Sequence, residues 1–319
     1  MMSWKSQIKF VIHTCLQLPL QIRDYGWGYA LSSAWIEICM VLSFVSQKYK
    51  DKLQIQYRQM KFRYLERYAY LVDSIPTQRE TNHLIFVFWL QGLETAPKIV
   101  LACVDSIKKN TNYEVIVLNN DNYANWVNIP DYIIKKKDTK QMTIAAFSDV
   151  LRFALLARYK GSIWMDATLF LSQPMPDNFY LYSIITRKGD YNPVIVSAFR
   201  WTGFFIGGHS EIFSVVYTML CEYWKNVGEN GIIIDYFLVD YLLAIVYNNS
   251  NKFRNEIDSI PMSNPNIHTI EDELNSVYHG FYDDTWLYKL TYKKAFVEEV
   301  NNQLTYYKVI INKIDNKEI

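Results

Sequence analysis

Ser148-Asp149-Val150-Leu151-Arg152, an apolar stretch to Tyr159, Lys160-Gly161, the apolar run Ser162-Ile163-Trp164-Met165 and then Asp166-Ala167-Thr168 follow one another without interruption. From Phe147 to Tyr159 there is no Gly or Pro, and Val150, Leu151, Ala154, Leu155 and Arg158 recur at helical spacing. That pattern predicts a helix with Ser148 as its N-cap. Gly161 is expected to end it, with Lys160 in the turn. Ser162 to Met165 reads as a short buried parallel strand. Asp166 then falls at the carboxyl end of a strand, where open α/β sheets hold their ligands. Asp149 and Arg152, one helical turn apart, share a face. The three charged groups are therefore expected to converge on one crevice.

Such a crevice suits transfer of a sugar from a nucleoside diphosphate. The departing diphosphate is anionic and calls for a hard divalent cation on oxygen ligands, Mn²⁺ or Mg²⁺. Asp166 can offer that ion a carboxylate, while Asp149 and Arg152 can orient the sugar through its hydroxyls. Taken singly, each residue is equally compatible with a structural duty, as a surface ion pair or a strand-end cap. Their spacing together favours a site.

From Asp149 to Thr168 the chain resembles the bacterial capsular polysaccharide synthesis glycosyltransferases, relatives of the yeast outer-chain mannosyltransferases and the glucosylating clostridial toxins. The likeness extends to Phe88-Trp89-Leu90-Gln91-Gly92-Leu93-Glu94-Thr95-Ala96-Pro97, with Cys103 and Ser106 in the helix that follows. Downstream it includes Ile234-Asp235-Tyr236-Phe237, Asn264-Pro265-Asn266-Ile267-His268 and Lys289-Leu290-Thr291-Tyr292-Lys293, so it spans roughly residues 80 to 295. The resemblance implies a GT-A fold, a nucleotide-sugar donor, a divalent metal and retention of anomeric configuration. It further implies that Trp89 stacks on the nucleobase and that Gln91, Ala167 and Lys289 join Asp149 and Arg152 in holding the donor. Asp235 would face the acceptor or the reacting sugar, and His268 would complete a metal site with Asp166 and Thr168. Lys289 and Lys293 would neutralise diphosphate charge. Two positions depart from the family pattern: a glycine pair reads Lys160-Gly161, and the Asp-x-Asp of the wider superfamily reads Asp166-Ala167-Thr168.

The remaining pattern agrees with an α/β sheet. His83 to Leu90 is a predicted strand, Ala96 to Lys109 a helix with Pro97 in its first turn, and Tyr113 to Leu118 a second strand closed by Asn119-Asn120-Asp121. That Asn/Asp cluster resembles a loop near the donor's nucleoside. Ser172 to Asn178 reads as a Pro-containing loop and Ile184 to Phe205 as a mixed region. Helices are expected over about Ile212 to Trp224 and Asp235 to Tyr247, with Asp235 as an alternative helix cap. Gly207-Gly208 reads as a turn or as a place where backbone approaches a ligand.

The chain has 319 residues, with 33 Lys and Arg against 32 Asp and Glu, so no global field points to nucleic acid. Cys15, Cys39, Cys103 and Cys221 show no metal spacing and suit a reduced, cytoplasmic setting. Residues 1–78 read as a helical segment preceding a 79–319 transferase domain. Helices are expected over about Trp4 to Leu18, Tyr29 to Lys50 and Leu53 to Val72. Trp27 to Gln47 reaches the length of a bilayer span, but Glu37 lies at its middle, which favours a packed or interfacial helix. Lys48, Lys50, Lys52, Arg58, Lys61, Arg63 and Arg67 follow, suiting either an anionic cytoplasmic leaflet or a solvated helical layer. The expected activity is transfer of a hexose, UDP-linked, to a lipid-linked capsular or exopolysaccharide repeat unit at the inner face of the cell membrane. The alternatives are an inverting enzyme with Asp235 as base, and a degenerate scaffold that binds sugar nucleotide or glycan without turnover.

Overall fold

The computed structural model describes residues 3–74, 80–176 and 195–312. Three helices open the chain, α1 (Trp4–Tyr25), α2 (Trp27–Val41) and α3 (Gln47–Leu65), followed by a 3₁₀ turn over Glu66–Leu71. Next come β1 (Glu80–Thr81), β2 (Leu84–Phe88), α4 (Lys98–Lys109), β3 (Glu114–Leu118), α5 (Asp131–Asp138) and α6 (Ile144–Arg158). The central strands and helices are β4 (Tyr159–Lys160), β5 (Ile163–Asp166), β6 (Leu169–Leu171), β7 (Phe205–Gly207), α7 (Ile212–Asn226), α8 (Leu238–Asn249), α9 (Asn251–Asp258) and α10 (Thr269–Glu273). The chain closes with β8 (Leu287–Lys289), β9 (Glu299–Val300), β10 (Gln303–Leu304) and α11 (Tyr306–Asn312). The expected boundary at residues 78 and 79 falls outside the described residues, as do 177–194 of the expected loop and mixed region and the last seven positions.

The main sheet runs in the order β3-β2-β5-β7. β2 pairs in parallel with β3 and with β5, whereas β7 adds antiparallel to β5. Every residue of β2 is buried, because helices cover both faces. One face packs under α6, α7 and α8 through Phe86, Trp164, Phe153 and Phe213. The other packs under α4, α10 and α11 through Val87, Met165, Val104 and Ile310. The fold is thus mixed α/β, with a sheet containing parallel strands between helical layers. Leu65, Tyr68 and Val72 belong to the same buried cluster as Phe86, so the end of the N-terminal helical segment is built into the core.

Local chemistry explains where boundaries differ from expectation. α6 starts at Ile144, and Thr143 rather than Ser148 caps it, its hydroxyl accepting the Ala146 amide at 3.1 Å. The helix ends at Arg158, and Tyr159-Lys160 pairs with β1 before the turn. Gly161 makes that turn at φ +88°; a Cβ there would meet the His209 ring at 2.9 Å and the Asn82 carbonyl at 3.0 Å. Gly207 owes its small size to strand packing, since a Cβ would lie 2.4 Å from Ser162 O and Ile163 Cα. The expected single helix from Tyr29 to Lys50 is broken at residues 42–46, between α2 and α3. Cys103 and Ser106 serve the fold: Ser106 Oγ donates to the Cys103 carbonyl and accepts the Leu171 amide, tying α4 to β6. All four cysteines are free thiols.

Candidate active site

The parallel strands β2 and β5 end in register at Phe88 and Asp166. Beyond their carboxyl ends opens a cavity of about 690 Å³, within the usual range for small-molecule sites. Trp89, Gln91, Asp149, Arg152, Asp166, Ala167, Thr168 and Lys289 all line it. α6 supplies Asp149 and Arg152 from one face, β5 delivers Asp166, and β8 brings Lys289 across from the later part of the chain. β8 pairs antiparallel with β6, which places Lys289 opposite Leu169.

Arg152 is the hub. It is buried, and its Nη1 donates to Asp149 Oδ1 at 2.8 Å while Nη2 reaches Asp166 Oδ1 at 3.3 Å. Its guanidinium lies 5.0 Å from the Trp164 ring centre, and Trp164 Nε1 donates to Asp166 Oδ1 at 2.9 Å. The Lys289 ammonium donates to Asp166 Oδ2 at 2.8 Å and to Thr168 Oγ1 at 2.7 Å. Asp166 thus holds two cations and an indole, and its side chain keeps 30% of its exposure toward the cavity. Trp89, also lining the cavity, meets Tyr292 edge to face at 5.1 Å.

Burial and charge set these carboxyls apart. Burial alone would raise Asp166, but Lys289 and Arg152 outweigh it and hold the group below its ordinary value. Asp149 is pushed up to about 6 by burial, with Arg152 opposing the shift and Asp166 adding to it. Asp240, on the first turn of α8, is likewise pushed up to about 6 by burial, against a 2.8 Å hydrogen bond from Trp201 Nε1. The folded chain therefore holds both protons more tightly than the unfolded chain. The stability this contributes is present below the ordinary value of 3.8 and is lost as pH rises through about 6. If the crevice acts on a sugar, activity moves the opposite way, since an ionised Asp149 is the better acceptor for hydroxyls. kcat/KM should then climb through about pH 6 and level, with Asp149→Asn removing one share of that limb and Asp240→Asn the other; pH profiles on the three proteins check it.

Two expected residues are placed elsewhere. Asp235 does not line the cavity; it pairs with Lys61 of α3 at 2.6 Å and accepts the Phe237 amide at 2.8 Å in a turn ahead of α8, which starts at Leu238 with Phe237 at its N-cap, so neither the expected site role nor the alternative cap is what it does. Its neighbours Tyr236 and Phe237 line the cavity in its stead. His268 lies in an adjoining cavity of about 450 Å³, its ring edge-on to Phe204 at 5.7 Å. Lys293 and the Asn119-Asn120-Asp121 cluster also lie off the main cavity, and Asn119 and Asn122 there knit their own turn. Asp240 and Tyr292, which the sequence reading did not select, line the main cavity, and Asp240 borders both cavities. Helical spacing was the available signal for Asp240, which falls one turn after Tyr236 and Phe237.

Among the described residues no group of three or more His, Cys, Asp and Glu is clustered for a metal ion. Asp166 and Thr168 already share the Lys289 ammonium, so a resident, all-protein metal site does not fit. A cation carried in with a diphosphate does fit. The cavity presents three carboxylates, Asp149, Asp166 and Asp240, against two cations, Arg152 and Lys289. An entering diphosphate adds further negative charge, and Mg²⁺-type ions are commonly held by one carboxylate plus substrate phosphates. Asp166, with the Thr168 hydroxyl, would then be the protein's contribution. His268→Ala is expected to leave donor turnover and its metal dependence within about threefold of wild type, roughly 0.7 kcal/mol. Steady-state rates across a Mn²⁺ titration check this.

No curated protein and no solved structure matches the chain at a significant level. The family model described as capsular polysaccharide synthesis protein matches residues 38–310, from the end of α2 into α11 and through every residue of the cavity. The chain belongs to the capsular polysaccharide synthesis protein family.

Proposed function

We propose that this protein is a glycosyltransferase of GT-A type that moves a hexose from a nucleoside diphosphate sugar, UDP-linked, to a lipid-linked saccharide in capsule assembly. One observation carries the reading. Asp149, Arg152, Asp166 and Lys289 converge, with Trp89 lining the same cavity, at the carboxyl ends of two parallel strands. The nucleobase stacks on Trp89 beside Tyr292. Lys289 and Arg152 face the diphosphate and stabilise the charge that grows on it as the glycosidic bond breaks. Asp149, oriented by Arg152, accepts from the sugar hydroxyls. Asp166 and Thr168 would hold a divalent cation accompanying the donor, which would supply further neutralisation of the leaving group.

The acceptor enters from the adjoining cavity, whose lining includes Phe199, Trp201, Phe204 and Phe237. Aromatic walls of this kind suit the apolar faces of sugar rings. In a retaining reaction the leaving phosphate takes the acceptor's proton. Asp240 favours one second reading: half-buried where the two cavities meet, with its pKa pushed up to about 6, it can act as the base of an inverting enzyme. Asp235, engaged by Lys61, is not. The anomeric configuration of the first product, read by NMR, separates the two routes.

Nucleotide titration tests the donor site. Wild type should bind UDP saturably, and Trp89→Ala should weaken binding by more than about tenfold, about 1.4 kcal/mol. Equal affinity in both proteins would remove Trp89 from the donor site.

A further inference from the structure

α1 and α2 have reversed polarity for helices on a protein surface. Along α1 the buried side chains are Gln7, Thr14, Gln21 and Tyr25. The apolar row Trp4, Ile8, Ile12 and Leu16, each one turn from the next, is exposed instead, with Trp4 at 71% and Leu16 at 70%. α2 repeats the pattern. Its buried positions are Ala30, Ser33, Ala34 and Cys39, all small, and Ile36, which packs on Leu53 of α3, whereas Trp27, Leu31 and Trp35 form an exposed row. Phe44, just beyond α2, is 80% exposed. In water the hydrophobic effect drives the opposite arrangement. Small and polar residues between helices, with large apolar ones outward, is what packing in lipid selects, because lipid gives apolar side chains no reason to turn inward.

Glu37, the acid that weighs against a lipid setting, is taken care of internally. Tyr57 of α3 donates to its Oε1 at 2.5 Å and Ser33 at 3.3 Å, which turns the carboxylate toward α3 and away from the apolar row. The cations are suitably placed: Lys5 and Lys9 are exposed on α1, and Lys48 and Lys52 are exposed at the start of α3. No described helix is long and apolar enough to cross a membrane. α1 and most of α2 also precede the matched span 38–310.

From this geometry we infer that the α1–α2 hairpin docks on an anionic lipid bilayer. Its rows Trp4–Leu16 and Trp27–Trp35 enter the headgroup and upper acyl region, and its lysines meet the phosphates. The occupant is lipid rather than a second copy of the chain because both helices expose Trp and aliphatic rows, and the exposed Lys5 and Lys9 stand beside the α1 row where they complement anionic headgroups. This surface lies outside the catalytic crevice, so its test and that of the transferase reading fail independently.

Flotation of the full chain with phosphatidylcholine vesicles, with and without phosphatidylglycerol, tests the inference. Wild type should float with the anionic vesicles. Trp4→Ser, Trp27→Ser and Trp35→Ser combined should weaken that binding more than about tenfold while leaving far-UV circular dichroism and UDP binding unchanged, because all three side chains are solvent-exposed. Lys5→Gln with Lys9→Gln should lessen the preference for anionic vesicles. Two results would overturn the inference. One is wild type that stays unbound with both vesicle types. The other is a dimer in sedimentation that the triple-serine variant abolishes, with flotation equal in both proteins.

Discussion

Arg152→Ala is expected to destabilise the folded chain by about 3 kcal/mol, the usual consequence of leaving a buried charge without its partner. The guanidinium is the shared counter-ion of Asp149 and Asp166, with only 8% of its side chain exposed. Without it the two carboxylates face each other across a low-dielectric gap, and Asp149 has no other cation on it among the described contacts. Turnover should fall by more than about hundredfold, roughly 2.7 kcal/mol of transition-state stabilisation, because the donor loses a positive group and the sugar loses the orienting carboxylate. Adding Asp149→Asn to the Arg152→Ala variant should recover part of the stability and none of the turnover. Urea midpoints and steady-state rates on the three proteins report the two effects separately. An unchanged midpoint with turnover near wild type would remove Arg152 from its role as hub.

Asp166→Asn should behave differently. Asn keeps the shape of the side chain but has one acceptor oxygen, so it can keep the Trp164 bond made at Oδ1 or the Lys289 bond made at Oδ2 and turns its NH2 toward the other donor; the urea midpoint is expected to correspond to a loss of about 1–2 kcal/mol. The lost negative charge leaves Arg152 and Lys289 without the group that fixes their positions, and a donor-borne cation without its carboxylate. Turnover should fall about thousandfold, roughly 4 kcal/mol. The contrast between the two variants is the informative result: Arg152→Ala weighs more on the fold, Asp166→Asn more on turnover. Turnover near wild type in the Asp166→Asn variant would withdraw Asp166 from catalysis.

Much of this site could be read from residue order because its chemistry is local. Asp149 and Arg152 share a helix face, and Asp166 follows a buried strand, so the α6–Gly161–β5 unit brings them together with little help from the rest of the fold. Lys289 was reached through resemblance, and the structure supplies the reason it belongs: the antiparallel β6–β8 pair carries it across from far along the chain. Such long-range pairings have no periodic signature. Asp235 shows the opposite case. Its place before an apolar helix was legible, but its partner, Lys61, comes from α3 and could not be foreseen, and that contact turns the carboxylate away from the cavity. Asp240 went unselected because it stands as a single acid in an apolar helix, with no motif or paired charge nearby in sequence to mark it. The N-terminal helices were legible as helices, yet periodicity alone could not show which face the fold would cover. Only the structure shows that α1 buries glutamines and exposes tryptophan.

The central claim is that this crevice transfers sugar from a nucleotide. The most direct measurement is consumption of a panel of UDP- and GDP-linked sugars by the purified protein, assayed with Mn²⁺ supplied and again with chelator, alongside Asp166→Asn. A lipid-linked saccharide extract is present throughout. The expected result is release of a nucleoside diphosphate from one donor by wild type and its near-complete loss in the Asp166→Asn variant. Saturable nucleotide binding with no release from any donor would contradict the transferase reading and leave a sugar-nucleotide-binding scaffold in its place.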